Sequence, residues 1–183
     1  MATTTAPNSF LQRLVGAAAL DSAIYEEVEA DRSATRQAFL VVILSGLAAG
    51  IGATGLTGAN VGVAAFTCAV SLIAWATWAL VTYEIGARIL PGAETSTVVG
   101  ELLRTIGFAA TPGILRVFGI VPAAMIPVFV LTAVWMLATM IVAVRQALDY
   151  RSTGRAIAVC ALGWVLAIIL AIGLGLFFGP SLS

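Results

Sequence analysis

The stretch TIGFAATPGILRVFGIV, residues 105–121, decides the topology of this chain. It is only moderately apolar, is interrupted by Thr111-Pro112-Gly113, and carries Arg116. It reads either as a membrane span or as a re-entrant piece. The flanking segments are plainer. A helix needs ~20 residues to cross a ~30 Å hydrocarbon core, and stretches at about 38–56, 61–83, 122–144 and 156–178 meet that need. Arginine placement settles the doubtful one, because cytoplasmic segments near span ends collect Arg and Lys. If residues 105–121 cross, then Arg13, Arg32, Arg36, Arg88, Arg104, Arg145, Arg151 and Arg155 all face inside. If they do not, Arg145, Arg151 and Arg155 face outside. The expected architecture is therefore all-α, with five transmembrane helices. The N-terminus is expected in the cytoplasm and the C-terminus outside. Residues 1–36 form a cytoplasmic arm and residues 37–183 the membrane domain.

Composition agrees. Of 183 residues, 61% are hydrophobic and 10% charged, with a mean hydropathy of +1.07. Soluble domains run at roughly 45–50% apolar and about 25% charged. A soluble enzyme, a nucleic-acid binder and a disordered chain are excluded on these grounds. The first 36 residues hold no apolar h-region, so no cleaved signal is expected. Nine basic residues, all Arg, balance nine acidic ones, and histidine is absent. Without histidine the commonest metal ligand and general base are missing. No catalytic constellation, metal site or cofactor motif is legible, and the expectation is a protein that is not an enzyme.

Ionisable residues inside a membrane are functional candidates by default. Glu84 and Arg88 sit at the inner end of the second span with the favourable i, i+4 order. They read as a snorkelling interface pair, or else as a gate or ion ligand. Arg116 lies ~16 Å past Thr105 at helical rise, with no acid on that half of the membrane. Its expected partners are the outer headgroups or free carbonyls, among them that of Phe108, which Pro112 leaves without a donor. A structural role is the first reading and an anion or lipid-phosphate site the second. The third span should be distorted at Pro112, with Arg116 turned from the lipid tails.

Gly46 and Gly50 form a G-x-x-x-G pair in the first span, suited to close helix packing within the bundle or to homodimerisation. Cys68 and Cys160 are expected never to bond. They lie ~10 Å from the outer edge and ~7 Å from the inner edge of their spans, and a disulfide needs Cα atoms within ~7 Å.

In the arm, Phe10, Leu11, Leu14, Val15 and Ala18 form a short apolar stripe expected to lie on the inner membrane surface. Asp21 or Ser22 can cap a second helix. Glu26, Glu27, Glu29 and Asp31 give it an acidic face. That face is simply solvated, docks onto Arg145, Arg151 and Arg155, or meets a protein partner or divalent cation. Docking through exposed charges would be reversible and salt-sensitive, with the arm folded over the inner ends of spans two, four and five.

Three stretches resemble the prokaryotic branch of the Yip family. They are Leu20-Asp21 with Tyr25, Glu29 and Asp31 to Gln37; GFAATPGILRVFGIVP from Gly107 to Pro122; and AVRQALDYRSTGRAIAVCALGW from Ala143 to Trp164. The resemblance implies five spans and a cytoplasmic N-terminus. Eukaryotic members interact with Ypt/Rab GTPases and act in vesicle biogenesis and Golgi traffic. This chain lacks their D-L-Y-G-P motif, so the Rab-linked activity is not carried over. Its lysine-free, Ala- and Gly-rich composition suggests a prokaryotic inner-membrane protein.

The functional expectation is a multi-pass scaffold or membrane-organising protein that binds protein or lipid partners on the cytoplasmic face. It binds no nucleic acid, and a homo-oligomer is possible in principle through the small-residue faces. The alternative is a small transporter or channel built on the broken third helix.

Overall fold

The computed structural model describes residues 7–57 and 61–178. Among these residues every regular element is helical. The arm forms α1 (Phe10–Ala18) and α2 (Ser22–Ala30). The body is α3 (Ala34–Thr57), α4 (Val61–Tyr83), α5 (Val99–Ala109), α6 (Pro122–Ala147) and α7 (Thr153–Phe178). A π-helical turn, Glu84–Ile89, extends α4, and a 3₁₀ segment, Thr111–Ile120, extends α5.

Among the described residues, three helical stretches are long and apolar enough to cross a membrane: Ala34–Thr54, Val61–Ile89 and Pro122–Ala147. The apolar windows of the last two are only 6% and 11% buried. Phe66, Ile73, Ile126 and Val134 stand on the outside of the bundle. A water-soluble fold does not leave apolar surface on this scale. The molecule is a multi-pass membrane protein.

The doubtful stretch is helical from Val99, earlier than residue 105, because Glu101 accepts a hydrogen bond from the Val98 amide at 2.9 Å and starts α5 there. The break falls at Ala110. Pro112 has no N–H and cannot continue an α-helix, so the chain tightens into 3₁₀ geometry. The freed carbonyls are satisfied locally: the Thr111 hydroxyl donates to Phe108 at 2.6 Å, and the Thr139 hydroxyl of α6 donates to Ala109 at 2.7 Å. The Phe108 carbonyl is therefore not the partner of Arg116.

Helix α3 occupies the centre, packed against α4, α5 and the 3₁₀ segment. Glycines make this closeness feasible. A Cβ on Gly46 would lie 2.9 Å from the Cys68 Cα of α4, and one on Gly50 would press on Ala64. Both glycines of the pair are thus at a contact inside the bundle. On the neighbouring face, a Cβ on Gly52 would overlap the Arg116 carbonyl oxygen. Cys68 and Cys160 are free thiols, Cys68 in α4 against α3 and Cys160 buried in α7.

Two turns shape one end of the bundle. Leu20 (φ 65°) and Asp149 (φ 51°) take the left-handed conformation. Each closes a helix C-terminus, with the Asp21 amide donating to Gly16 at 3.0 Å and the Tyr150 amide donating to Arg145 at 2.9 Å. These are the six-to-one bonds that satisfy orphan carbonyls at a helix end. The first turn reverses the chain between α1 and α2. The second aims Tyr150 into the body, where its hydroxyl donates to Leu90 at 2.7 Å and lies 2.9 Å from the Gly86 carbonyl oxygen. Tyr150 thereby anchors the end of the π-helical turn.

Candidate functional site

The arm, the loop after the π turn and the α6–α7 turn meet at one end of the bundle. The arm is part of the core there. Ala17, Ile24, Tyr25 and Val28 pack with Ala34, Ala38, Val41, Phe108, Ala109 and Ala143. The rings of Phe10 and Phe108 meet edge to face at 6.4 Å. Full burial of side chains such as Ile24 and Val28 contributes about 1.5–3 kcal/mol each, more than the ~0–1 kcal/mol of an exposed ion pair. The contact is therefore mainly apolar, not the meeting of exposed charges that the acidic face suggested.

The position of the arm is corrected too. It lies on α5 and α6, so of the three spans it was expected to cover it meets the fourth, and the third takes the place of the second and fifth. The indole N–H of Trp135, near the middle of α6, donates to the Ala18 carbonyl at 2.7 Å. The tip of the α1–α2 hairpin thus dips to the level where α5 breaks.

Two buried arginines lock this hairpin. Arg13, only 2% exposed, donates through Nε and Nη2 to Glu27 Oε1 at 2.9 and 2.8 Å, and through Nη1 to Gln37 at 3.0 Å. Its Nη2 also pairs with Asp31 at 2.8 Å. One guanidinium thus ties α1, α2 and α3 together. Burial pushes the Glu27 carboxyl up, but hydrogen bonds from Asn8 and Arg13 outweigh it and hold the pKa below the usual range. Asp31, bonded by Ser33 and Arg13, falls to about 2. Arg104, 6% exposed, donates Nε to the Val28 and Glu29 carbonyls at 3.0 Å each, and Nη2 also reaches Glu29. A cation on these last carbonyls of α2 satisfies orphan acceptors and the helix dipole together.

The acidic face is consequently divided. Glu27 and Asp31 turn inward to Arg13. Glu26 accepts from Gln146 Nε2 at 2.8 Å, and Glu29 is half-buried near Glu26, Glu101 and Asp149. None of these last four carboxylates makes an ion pair among the described residues. Burial, then the negative charges of Asp149 and Glu101, push the Glu29 pKa from 4.5 up to about 7, with Arg104 opposing. The folded state therefore keeps a proton that the unfolded chain has released between those values. By linkage, stability falls as pH rises from 4.5 to about 7 and levels off above. Thermal unfolding in detergent should show this decline, and Glu29→Gln should flatten it. An unchanged pH slope in that variant would remove Glu29 from the account.

The three arginines expected to receive the acidic face lie elsewhere. Arg145 Nε donates to the Tyr150 carbonyl at 3.3 Å, inside its own turn. Arg151 pairs with Glu94, and Arg155 Nη1 donates to the Pro91 carbonyl at 3.1 Å. Arg151 and Arg155 fasten the α6–α7 turn to the loop after the π turn, while Arg145 stays within its own turn. Arg88 Nη1 donates to both oxygens of Glu84 at 3.0 Å, on an exposed surface, with the guanidinium 5.4 Å from the Tyr83 ring. Towards the opposite end, Arg116 turns into the bundle, its Nε donating to Thr132 Oγ1 at 3.2 Å. Pro112 is buried at the break.

Fold and site define a class: an all-helical, multi-pass membrane bundle with its N-terminal hairpin built into one end. The Yip1 domain family matches residues 21–174, and the chain belongs to that family. The matched region runs from the hairpin tip into α7. It includes Tyr25, the broken helix and the Tyr150 turn. No curated protein and no solved structure matches this chain.

Proposed function

We propose that this protein is a five-span scaffold or membrane-organising factor of a prokaryotic cytoplasmic membrane, acting without catalysis. In this reading α3, α4 with its π turn, α5 with its 3₁₀ segment, α6 and α7 each cross the bilayer. At 1.5 and ~2.0 Å per residue, α5 and the 3₁₀ segment together extend ~36 Å, enough for a ~30 Å core. Every arginine except Arg116 then lies at the arm end or beside it, which the positive-inside rule assigns to the cytoplasm.

Family membership supports a membrane-associated, trafficking-type role. The observation that carries partner recruitment is the composite patch of Glu26, Glu29, Glu101 and Asp149. These residues come from α2 of the hairpin and from α5 and the α6–α7 turn of the body, which pack together. A rigid site loses little conformational entropy on binding, so a cationic protein segment is a suitable partner. The test is co-purification from native membranes with Glu26→Gln, Glu29→Gln, Glu101→Gln and Asp149→Asn combined. Asn also tolerates the left-handed conformation, so the turn survives. The variant should insert and fold while losing partners that the wild type recovers. Recovery of every wild-type partner defeats the proposal. A transporter is the second reading, favoured by the cavity beside the broken helix. Substrate-dependent flux in liposomes, insensitive to the patch variant, would put it first.

A further inference from the structure

Arg116 is a cation without a countercharge. It is half-buried in the 3₁₀ segment, and every ion pair among the described residues uses another arginine. Its Nε donates to Thr132, and its guanidinium lies over the Phe129 ring at 5.4 Å. Nη1 and Nη2 make no hydrogen bond among the described residues. Thr132 sits ten residues into α6 from Pro122, ~15 Å along the helix.

Two cavities flank this guanidinium, of about 250 and about 280 Å³, and they share Trp78, Arg116, Met136 and Met140. The first is also lined by Ser45, whose hydroxyl makes no hydrogen bond among the described residues although the residue is only 6% exposed. The Trp78 indole N–H, on the wall common to both, is buried with no hydrogen-bond partner among the described residues. The second cavity runs out between α6 and α7 to Leu137 and Trp164, which are exposed on the apolar outside of the bundle. Arg116 can donate from two further nitrogens, Ser45 from its hydroxyl and Trp78 from its indole, and no acceptor among the described residues meets these groups. The remaining walls are mostly apolar.

A desolvated cation with unused N–H groups favours an anionic oxygen ligand, since charge-assisted bonds are the strong ones and an unpaired buried charge costs several kcal/mol. The rim of the opening, Leu137 and Trp164, is apolar and exposed, which suits a ligand arriving from the bilayer. We propose that the Arg116 cavity binds the anionic headgroup, phosphate or carboxylate, of a membrane amphiphile that enters between α6 and α7 and leaves its chain on the exposed apolar face. The site is distant from the acidic patch and does not depend on partner recruitment.

The test is native mass spectrometry of the full chain in non-ionic detergent, titrated separately with phosphatidylglycerol, phosphatidylcholine and inorganic phosphate. Phosphatidylglycerol should be retained at about tenfold lower concentration than phosphatidylcholine, whose phosphate is offset by its own choline cation. Arg116→Gln should abolish that preference. Ala74→Phe narrows the first cavity from an exposed position on α4 and keeps the cation. It should weaken the preference too, and it carries the test if Arg116→Gln fails to fold. Equal retention of the two lipids, or a preference surviving in the folded variants, overturns the proposal. Inorganic phosphate binding as tightly as phosphatidylglycerol would make the ligand a soluble anion and overturn the amphiphile.

Discussion

Replacing Arg13 with alanine is expected to lower the unfolding free energy by about 2–3 kcal/mol. Breaking a fully buried ion pair by removing one partner costs ~3–5 kcal/mol. Glu27 and Asp31 keep side-chain exposures of 25% and 30%, so water recovers part of that here. The loss has three sources: the Gln37 link to α3, the two contacts from α1 to α2, and two like charges left close together. Unfolding in detergent measures it. Arg13→Leu combined with Glu27→Gln and Asp31→Asn should recover much of the stability, because the repulsion and the unpaired charges then disappear together. If Arg13→Ala is neutral, the clamp contributes nothing and the arm is held by its apolar face alone.

Gly52→Val should be comparably severe for a different reason. A side chain there meets the Arg116 carbonyl, which belongs to backbone and cannot rotate aside. Overpacking of this kind costs ~1–3 kcal/mol, occasionally more, and it would push the 3₁₀ segment off α3. Gly154→Ala is the control, because the nearest atom to its added Cβ is 3.4 Å away. That change should be neutral or slightly stabilising, as Ala exceeds Gly in helix preference by ~1 kcal/mol. A Gly52 variant that unfolds like the control would mean that α3 and the 3₁₀ segment do not approach this closely.

Much of the body is legible in the sequence. The long apolar windows identify α3, α4 and α6 by hydropathy alone, and Pro112 marks the break in the doubtful stretch. The absence of an acid near Arg116 already turns it away from lipid. The arm is much less legible. Ile24, Tyr25 and Val28 are spaced for one helix face, but α2 is short and carries three glutamates, so it reads as solvated. Arg13 reads as a weak surface anchor because it is the sole charge on a short amphipathic helix. Its acidic partners lie fourteen and eighteen residues away, and the reversal at Leu20 brings them together. A left-handed leucine carries no local signal, since glycine is the usual residue there. Arg104 reads as one more inner-loop arginine for the same reason: its acceptors are backbone carbonyls of α2, and carbonyls have no sequence signature.

The claim that the arm is a fixed part of the bundle is tested most directly by amide hydrogen exchange across residues 22–30, at low salt and again at about 1 M salt, where charge interactions are screened within ~3 Å. Amides of α2 should exchange as slowly as those of α5 at both salt concentrations, because Tyr25 and Val28 are fully buried and the Arg13 and Arg104 side chains that bind α2 are themselves buried. Rapid exchange of α2, or its release at high salt while α5 remains protected, would contradict the account and return the arm to a loose, electrostatically tethered segment.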